Sequence, residues 1–71
     1  MSKEILEFVV CMIHACAEKW GQSPSMVYQR LSEADCIEKY LIPHYGVLHT
    51  QGTGLIVDNI EEYIGIRKGG A

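Results

Sequence analysis

The sequence predicts an all-α fold, a small orthogonal bundle of three main helices plus a C-terminal helix, with an irregular segment at about 43–57. Three observations carry that reading. The stretch from Lys3 to Trp20 contains neither glycine nor proline and repeats its apolar residues at helical spacing. Ser23-Pro24 and two Asp-x-x-Glu tetrads, Asp35–Glu38 and Asp58–Glu61, supply helix start signals further on. Gly21, Pro43 and the pair Gly52 and Gly54 fall between these segments, where breaks are needed.

The first helix is the best defined. Ser2 can accept from the first free amides, and Gly21 stands where a left-handed residue closes a helix. Placed at about 100° per residue, its apolar residues from Ile5 to Trp20 span an arc of roughly 220°, against about 100° for an ordinary surface helix. Lys3, Glu7, Cys11, His14 and Glu18 form the remaining narrow polar stripe. Such a helix is either packed on several sides or keeps an apolar face for a partner.

The second helix opens at Ser23-Pro24 and turns Val27, Leu31 and Ala34 inward, with Met26 and Tyr28 flanking. The third starts at Asp35 as a capping box with Asp in place of Ser or Thr, shows Ile37, Tyr40 and Leu41 to the core, and ends before Pro43. Val47 and Leu48 anchor a short piece, Gln51-Gly52-Thr53-Gly54 reads as a loop, and Leu55-Ile56-Val57 as an extended lead-in. A last helix begins at Asp58, buries Ile60, Tyr63 and Ile64, and closes on Arg67 and Lys68. The expected core comprises Leu6, Val9, Val10, Ile13, Trp20, Val27, Leu31, Ile37, Leu41, Leu48, Ile56, Ile60 and Ile64. Residues 1–68 form one domain and 69–71 a frayed tail.

Seventy-one residues, 48% hydrophobic and 21% charged, leave no room for a second domain and exclude a disordered tail. No run of roughly 18 apolar residues exists to span a membrane. A chain this short buries only about 60% of its unfolded surface, so its stability is marginal without a partner, metal or second copy. Six Lys and Arg against nine Asp and Glu give a net charge of −3, with the cations scattered, which argues against a phosphate-gripping surface. Three cysteines cannot all pair within one chain. With an N-terminus lacking the basic start and cleavage site of a signal peptide, they point to free thiols in the cytoplasm.

No constellation carries chemistry strongly. Cys11 and Cys16 lie five apart, about 140° around a helix, and His44 and His49 straddle a proline-broken segment, so no metal or other cofactor is expected. Cys11, His14 and Glu18 share a stripe that a solvated face explains equally well, and no catalytic residues are assigned. The helices at about 24–33 and 36–42 have helix-turn-helix spacing. The second of them, however, offers Glu38 beside Asp35 where readers of base edges present Arg, Lys, Asn or Gln. His49-Thr50-Gln51-Gly52 either contacts a partner beside Tyr45 or ties down its own backbone.

The order Gly21-x-Ser23-Pro24-x-x-Val27-Tyr28-x-x-Leu31, then Ile37-x-x-Tyr40-Leu41-Ile42-Pro43-x-Tyr45-x-x-Leu48-His49-Thr50-x-Gly52, then Ile56-Val57-Asp58-x-Ile60-x-x-Tyr63 resembles a family of short uncharacterised bacterial proteins, a domain of unknown function common in gut Firmicutes and related anaerobes. The likeness covers about residues 3–66, and Leu48-His49-Thr50-x-Gly52 is its most distinctive part. Members of that family are often encoded beside proteins similar to ADP-ribosyltransferases, which implies a toxin–antitoxin or effector–regulator pair and a protein-binding role. The resemblance supplies no catalytic residues. The expected function is a cytosolic protein–protein interaction module, antitoxin-like or regulatory, with a protein partner or self-association. Ile5, Phe8, Met12, Tyr45, His49 and Thr50 are the candidate contact residues, and a helix-turn-helix DNA-binding regulator is the alternative.

Overall fold

Ser2 sets the start of the first helix. Its backbone is extended and its Oγ accepts the Ile5 amide at 3.2 Å, which satisfies one otherwise unpaired donor of the first turn. Helix α1 runs Lys3–Trp20 and stops at Gly21, whose φ of 66° reverses the chain without a side-chain clash. Ser23 repeats the device for α2, Pro24–Glu33, accepting the Met26 amide at 3.3 Å with proline in the first turn. A π-helical turn follows at Ile37–Leu41, then a single turn α3 at Tyr45–Leu48 and the last helix α4 at Thr53–Tyr63. The computed structural model describes residues 2–65; Arg67, Lys68 and the tail at 69–71 lie outside them. Among the described residues the fold is all-α, with no strand.

Helix α1 is the centre of the domain, with α2 and α4 both packed on it. It contributes Val9, Met12, Ile13, Cys16 and Ala17 to the core. Val27 and Leu31 of α2, Cys36, Ile37 and Leu41 of the following turn, Leu48 of α3, and Ile56, Val57 and Ile60 of α4 close over them. No polar or charged side chain is buried among the described residues. The C-terminal end of α1 is also tied by polar contacts. Trp20 Nε1 donates to Glu61 Oε2 at 2.7 Å, and Lys19 Nζ reaches Asp58 at 2.7 Å and Glu61 at 3.2 Å. Arg30 of α2 lies over the Trp20 ring at 5.9 Å.

Several expectations are corrected. Leu6 and Val10 are not core residues; they are 51% and 44% exposed. The reason is length. The ten residues of α2 rise about 15 Å and the eighteen of α1 about 27 Å, so α2, starting beside the C-terminal end of α1, leaves the N-terminal turns on its side bare. Trp20 and Ile64 pack against the core but are only partly buried, Trp20 because its N–H seeks Glu61. Val47, expected to anchor with Leu48, points to solvent.

Asp35 forms no side-chain capping box, although its carbonyl accepts the Lys39 N–H at 2.9 Å and so begins the next turn. Its φ of 55° is left-handed, and its N–H bonds back to Ser32 at 3.0 Å, so it ends α2 in the role glycine usually fills. The third helix is a π-turn, closed by Ile42 N–H to the Ile37 carbonyl at 2.9 Å. Ile42 keeps right-handed helical angles (φ −69°, ψ −50°), so what ends the helix at Pro43 is the missing N–H rather than a forced change in the preceding residue. Leu55-Ile56-Val57 is helical, not extended, and Asp58 lies inside α4, whose cap position is Gly52. The segment at 43–57 is therefore largely helical. β-Branching costs a helix only a few tenths of a kcal/mol per residue, less than what burying Ile56 and Val57 on one helical face returns.

Two of the three free cysteines, Cys16 and Cys36, are fully buried, while Cys11 is exposed. Burial, with the Glu61 carboxylate adding to it and Lys19 opposing, pushes the Cys16 thiol up from 9.0 to about 11. Burial, and then Cys16, pushes the Cys36 thiol up to about 12. Lys19 is raised above its ordinary value by its hydrogen bonds to Asp58 and Glu61.

Two outcomes are expected. Leu31→Ala should cost about 2–5 kcal/mol in urea denaturation followed by helical circular dichroism, whereas Leu6→Gln should change stability by no more than about 0.5 kcal/mol. The second outcome concerns pH. The unfolded chain ionises its thiols near 9.0 and the native one only near 11 and 12, so the buried thiols favour folding fully below that lower value and progressively less above it. Lys19 acts in the same direction, its stabilising ion pairs being lost as it deprotonates above its raised value. The urea midpoint should therefore stay level up to about pH 8.5 and fall above it. The fall should be shallower in Cys36→Ala, and iodoacetamide should label Cys11 alone in the native protein.

Candidate partner-binding surface

The residues singled out from sequence divide into three groups. Phe8, Tyr45 and His49 come together: the Phe8 and Tyr45 rings meet edge to face at 5.3 Å, and Tyr45 stacks on the His49 imidazole at 4.5 Å. His49 donates from Nδ1 to the Tyr45 carbonyl at 2.8 Å, and Thr50 Oγ1 donates to the Val47 carbonyl at 2.8 Å. These bonds close α3, so the distinctive His49-Thr50 pair ties down its own backbone. Ile5 and Phe8 are partly buried against the core. Met12 drops out as a contact residue. It is 3% exposed because it faces inward between Val9 and Ile13 on the buried side of α1.

The bare edge of α1 is the other one. Leu6 and Val10, one turn apart, form with Val9 and Ile13 the floor of a groove of ≈ 570 Å³. Its opposite wall is built from Tyr28 and Ser32 of α2 and from Asp35, Ile37, Glu38 and Ile42. The wall contains two backbone irregularities, the left-handed Asp35 and the π-turn at Ile37–Leu41. Non-glycine residues at positive φ and π-turns both concentrate at functional sites. Tyr28, 56% exposed, stands at the rim as the large aromatic kind of side chain that anchors interfaces. Asp35 and Glu38 make the groove acidic at that wall. Lys39, the nearest cation, reaches Asp35 only at 3.9 Å, with both side chains largely in solvent.

The arrangement suits apolar contact more than chemistry. Among the described residues no three His, Cys, Asp or Glu side chains converge as metal ligands. His44 donates from Nδ1 to the Tyr40 carbonyl at 3.0 Å and so ends the π-turn, as His49 ends α3. Cys11, His14 and Glu18 lie exposed on the solvent stripe of α1. The turn that would serve as a recognition helix has five residues, two of them, Ile37 and Leu41, buried, and its first turn carries Glu38.

The sequence did signal this groove. Leu6 and Val10 sit at the edge of the apolar arc of α1, next to the polar stripe, where cover from a neighbouring helix is least certain. What hid it was the length of α2, too short to reach them, and the unexpected turn geometry that turns Ile37 inward and Ile42 to the groove.

No curated protein and no solved structure matches the chain. A family model matches residues 7–66, which takes in the groove floor from Val9 to Ile13, all of its opposite wall, and the aromatic ladder of Phe8, Tyr45 and His49. On that match the chain belongs to a family described as protein of unknown function (DUF3791).

Proposed function

We propose that the chain is a protein–protein interaction module and that the groove between α1 and the α2–π-turn wall is its binding surface. One observation carries the reading. Among the exposed large apolar side chains, Leu6, Val10 and Tyr28 stand together around one groove of ≈ 570 Å³. Their burial by a partner would return the apolar free energy that the chain's own elements leave unused. Within that class the role we assign is an antitoxin-like or regulatory partner of an enzyme encoded beside it, the arrangement implied by the family resemblance. The cytoplasm is the compartment that suits three free thiols. None of the described helices is long and apolar enough to cross a membrane.

The alternative, a helix-turn-helix regulator, has weaker support. A recognition helix must lay exposed donors along the major groove, and a five-residue turn with a buried Ile37 and Leu41 offers only Lys39, next to an acidic Glu38. Titration against random-sequence duplex at two salt concentrations separates the two readings, since only a nucleic-acid binder shows strong, salt-dependent association. We expect none.

The direct test mixes the purified chain with the protein encoded beside its gene. Association at micromolar concentration is expected, weakened at least about tenfold in a Leu6→Glu, Val10→Glu double variant whose urea midpoint is unchanged. Failure of the wild-type chain to associate would overturn the regulatory role. Equal binding by the double variant would remove the groove from it.

A further inference from the structure

We propose that the occupant of the groove is an amphipathic helix of another protein, carrying lysine or arginine beside its apolar stripe. The proposal rests on the reading of the groove as a binding surface and adds to it the shape and charge of what binds.

Shape comes first. An extended peptide needs an open strand edge to pair its backbone amides, and among the described residues there is no strand. The groove walls are α1, α2 and the π-turn, whose amides are already bonded within their own turns. A helix satisfies its own backbone and needs from the groove only apolar contact. That contact is provided by Leu6 and Val10 on one wall and Ile37 and Ile42 on the other.

Charge then selects among helices. Among the described residues the groove is lined by two carboxylates, Asp35 and Glu38, and by no cation. Asp35 is 62% exposed and only loosely paired with Lys39 at 3.9 Å, while Glu38 has no ion pair among the described residues. A cationic flank on the incoming helix finds Glu38 without an ion pair among the described residues and Asp35 held only loosely by Lys39. A second copy of this chain fits worse. In a two-fold contact the same patch meets itself, so acidic walls would approach acidic walls, each from a chain of net charge −3.

The test uses two capped synthetic helical peptides with leucines at i, i+3, i+4 and i+7, flanked in one by lysines and in the other by glutamates. Each is titrated into the ¹⁵N-labelled full chain. The lysine peptide should move the amides of Val10, Ile37 and Glu38 and weaken with added salt, and the glutamate peptide should bind at least about fivefold more weakly. Glu38→Lys combined with Asp35→Asn, chosen because asparagine tolerates the left-handed φ of 55°, should shrink that preference by about threefold to tenfold. Equal binding of both peptides in the groove would overturn the charge selection and leave the binding surface standing. If neither peptide binds and the chain sediments as a dimer that Leu6→Glu breaks, the occupant is a second copy and the proposal fails. If neither binds and Leu6→Glu alters no association, the groove reading falls with it.

Discussion

A single long helix must be covered by elements that are all shorter than it is, and the rest of this structure follows from that mismatch. Helix α1 has eighteen residues; α2 has ten, the π-turn five, α3 four and α4 eleven. The buried residues of α1 run from Val9 to Ala17, so its inner face is sealed through the middle and C-terminal turns and opens towards the N-terminus at Leu6 and Val10. The polar ties fall at the sealed end. Trp20 and Lys19 engage Glu61 and Asp58 of α4, and Arg30 of α2 covers the indole, so three helices meet where α1 stops. The polar ties thus concentrate at one end of α1, while at its other end Ile5 and Phe8 pack on the core and Leu6 and Val10 stay open on the side of α2.

The two irregular pieces of backbone can be understood against the same shortage of chain. Asp35 turns α2 into the next element within two residues, using a left-handed conformation that aspartate tolerates better than most side chains do. The π-turn then holds one more residue per turn than an α-helix. That register seats Cys36, Ile37 and Leu41 in the core while Ile42 contributes to the groove wall. Pro43 can donate to no carbonyl, so the α-helical alternative would lose a bond at this point in any case.

Much of the architecture was legible from spacing. Ser2, Gly21, Ser23 and Pro24 act as their chemistry predicts because caps depend on neighbouring backbone alone. Nine of the expected core residues, from Val9 to Ile60, are buried, since helical periodicity and burial agree along most of each element. The errors came where local chemistry and tertiary packing disagree. The Asp-x-x-Glu tetrads have the spacing of caps, but Asp35 closes a helix and Asp58 lies inside one, and the tetrad reads the same in all three settings. At Leu55-Ile56-Val57 β-branching favours an extended strand and the spacing of Ile56, Ile60 and Ile64 a helix, and burial is the larger effect. The groove was hidden for a different reason. Its wall is assembled from α2 and the π-turn, and no local pattern states how far a helix reaches along its neighbour.

The proposed function follows from the same geometry as the fold. A helix seated on Leu6 and Val10 would do for the N-terminal half of α1 what α2 and α4 do for the remainder, so binding would extend the core rather than add a separate contact. Binding that completes a core is coupled to folding. A ligand at a hundred times its dissociation constant stabilises the native state by about 2.7 kcal/mol, a sizeable share of what a domain of this size can hold. On the proposed function, leaving Leu6 and Val10 uncovered would make the folded population of the free chain responsive to a partner that covers them. Asp35 adds to that effect. As a non-glycine residue in a left-handed conformation it costs the free chain stability, and its carboxylate, paired only loosely with Lys39, would gain a closer contact from the cationic partner proposed.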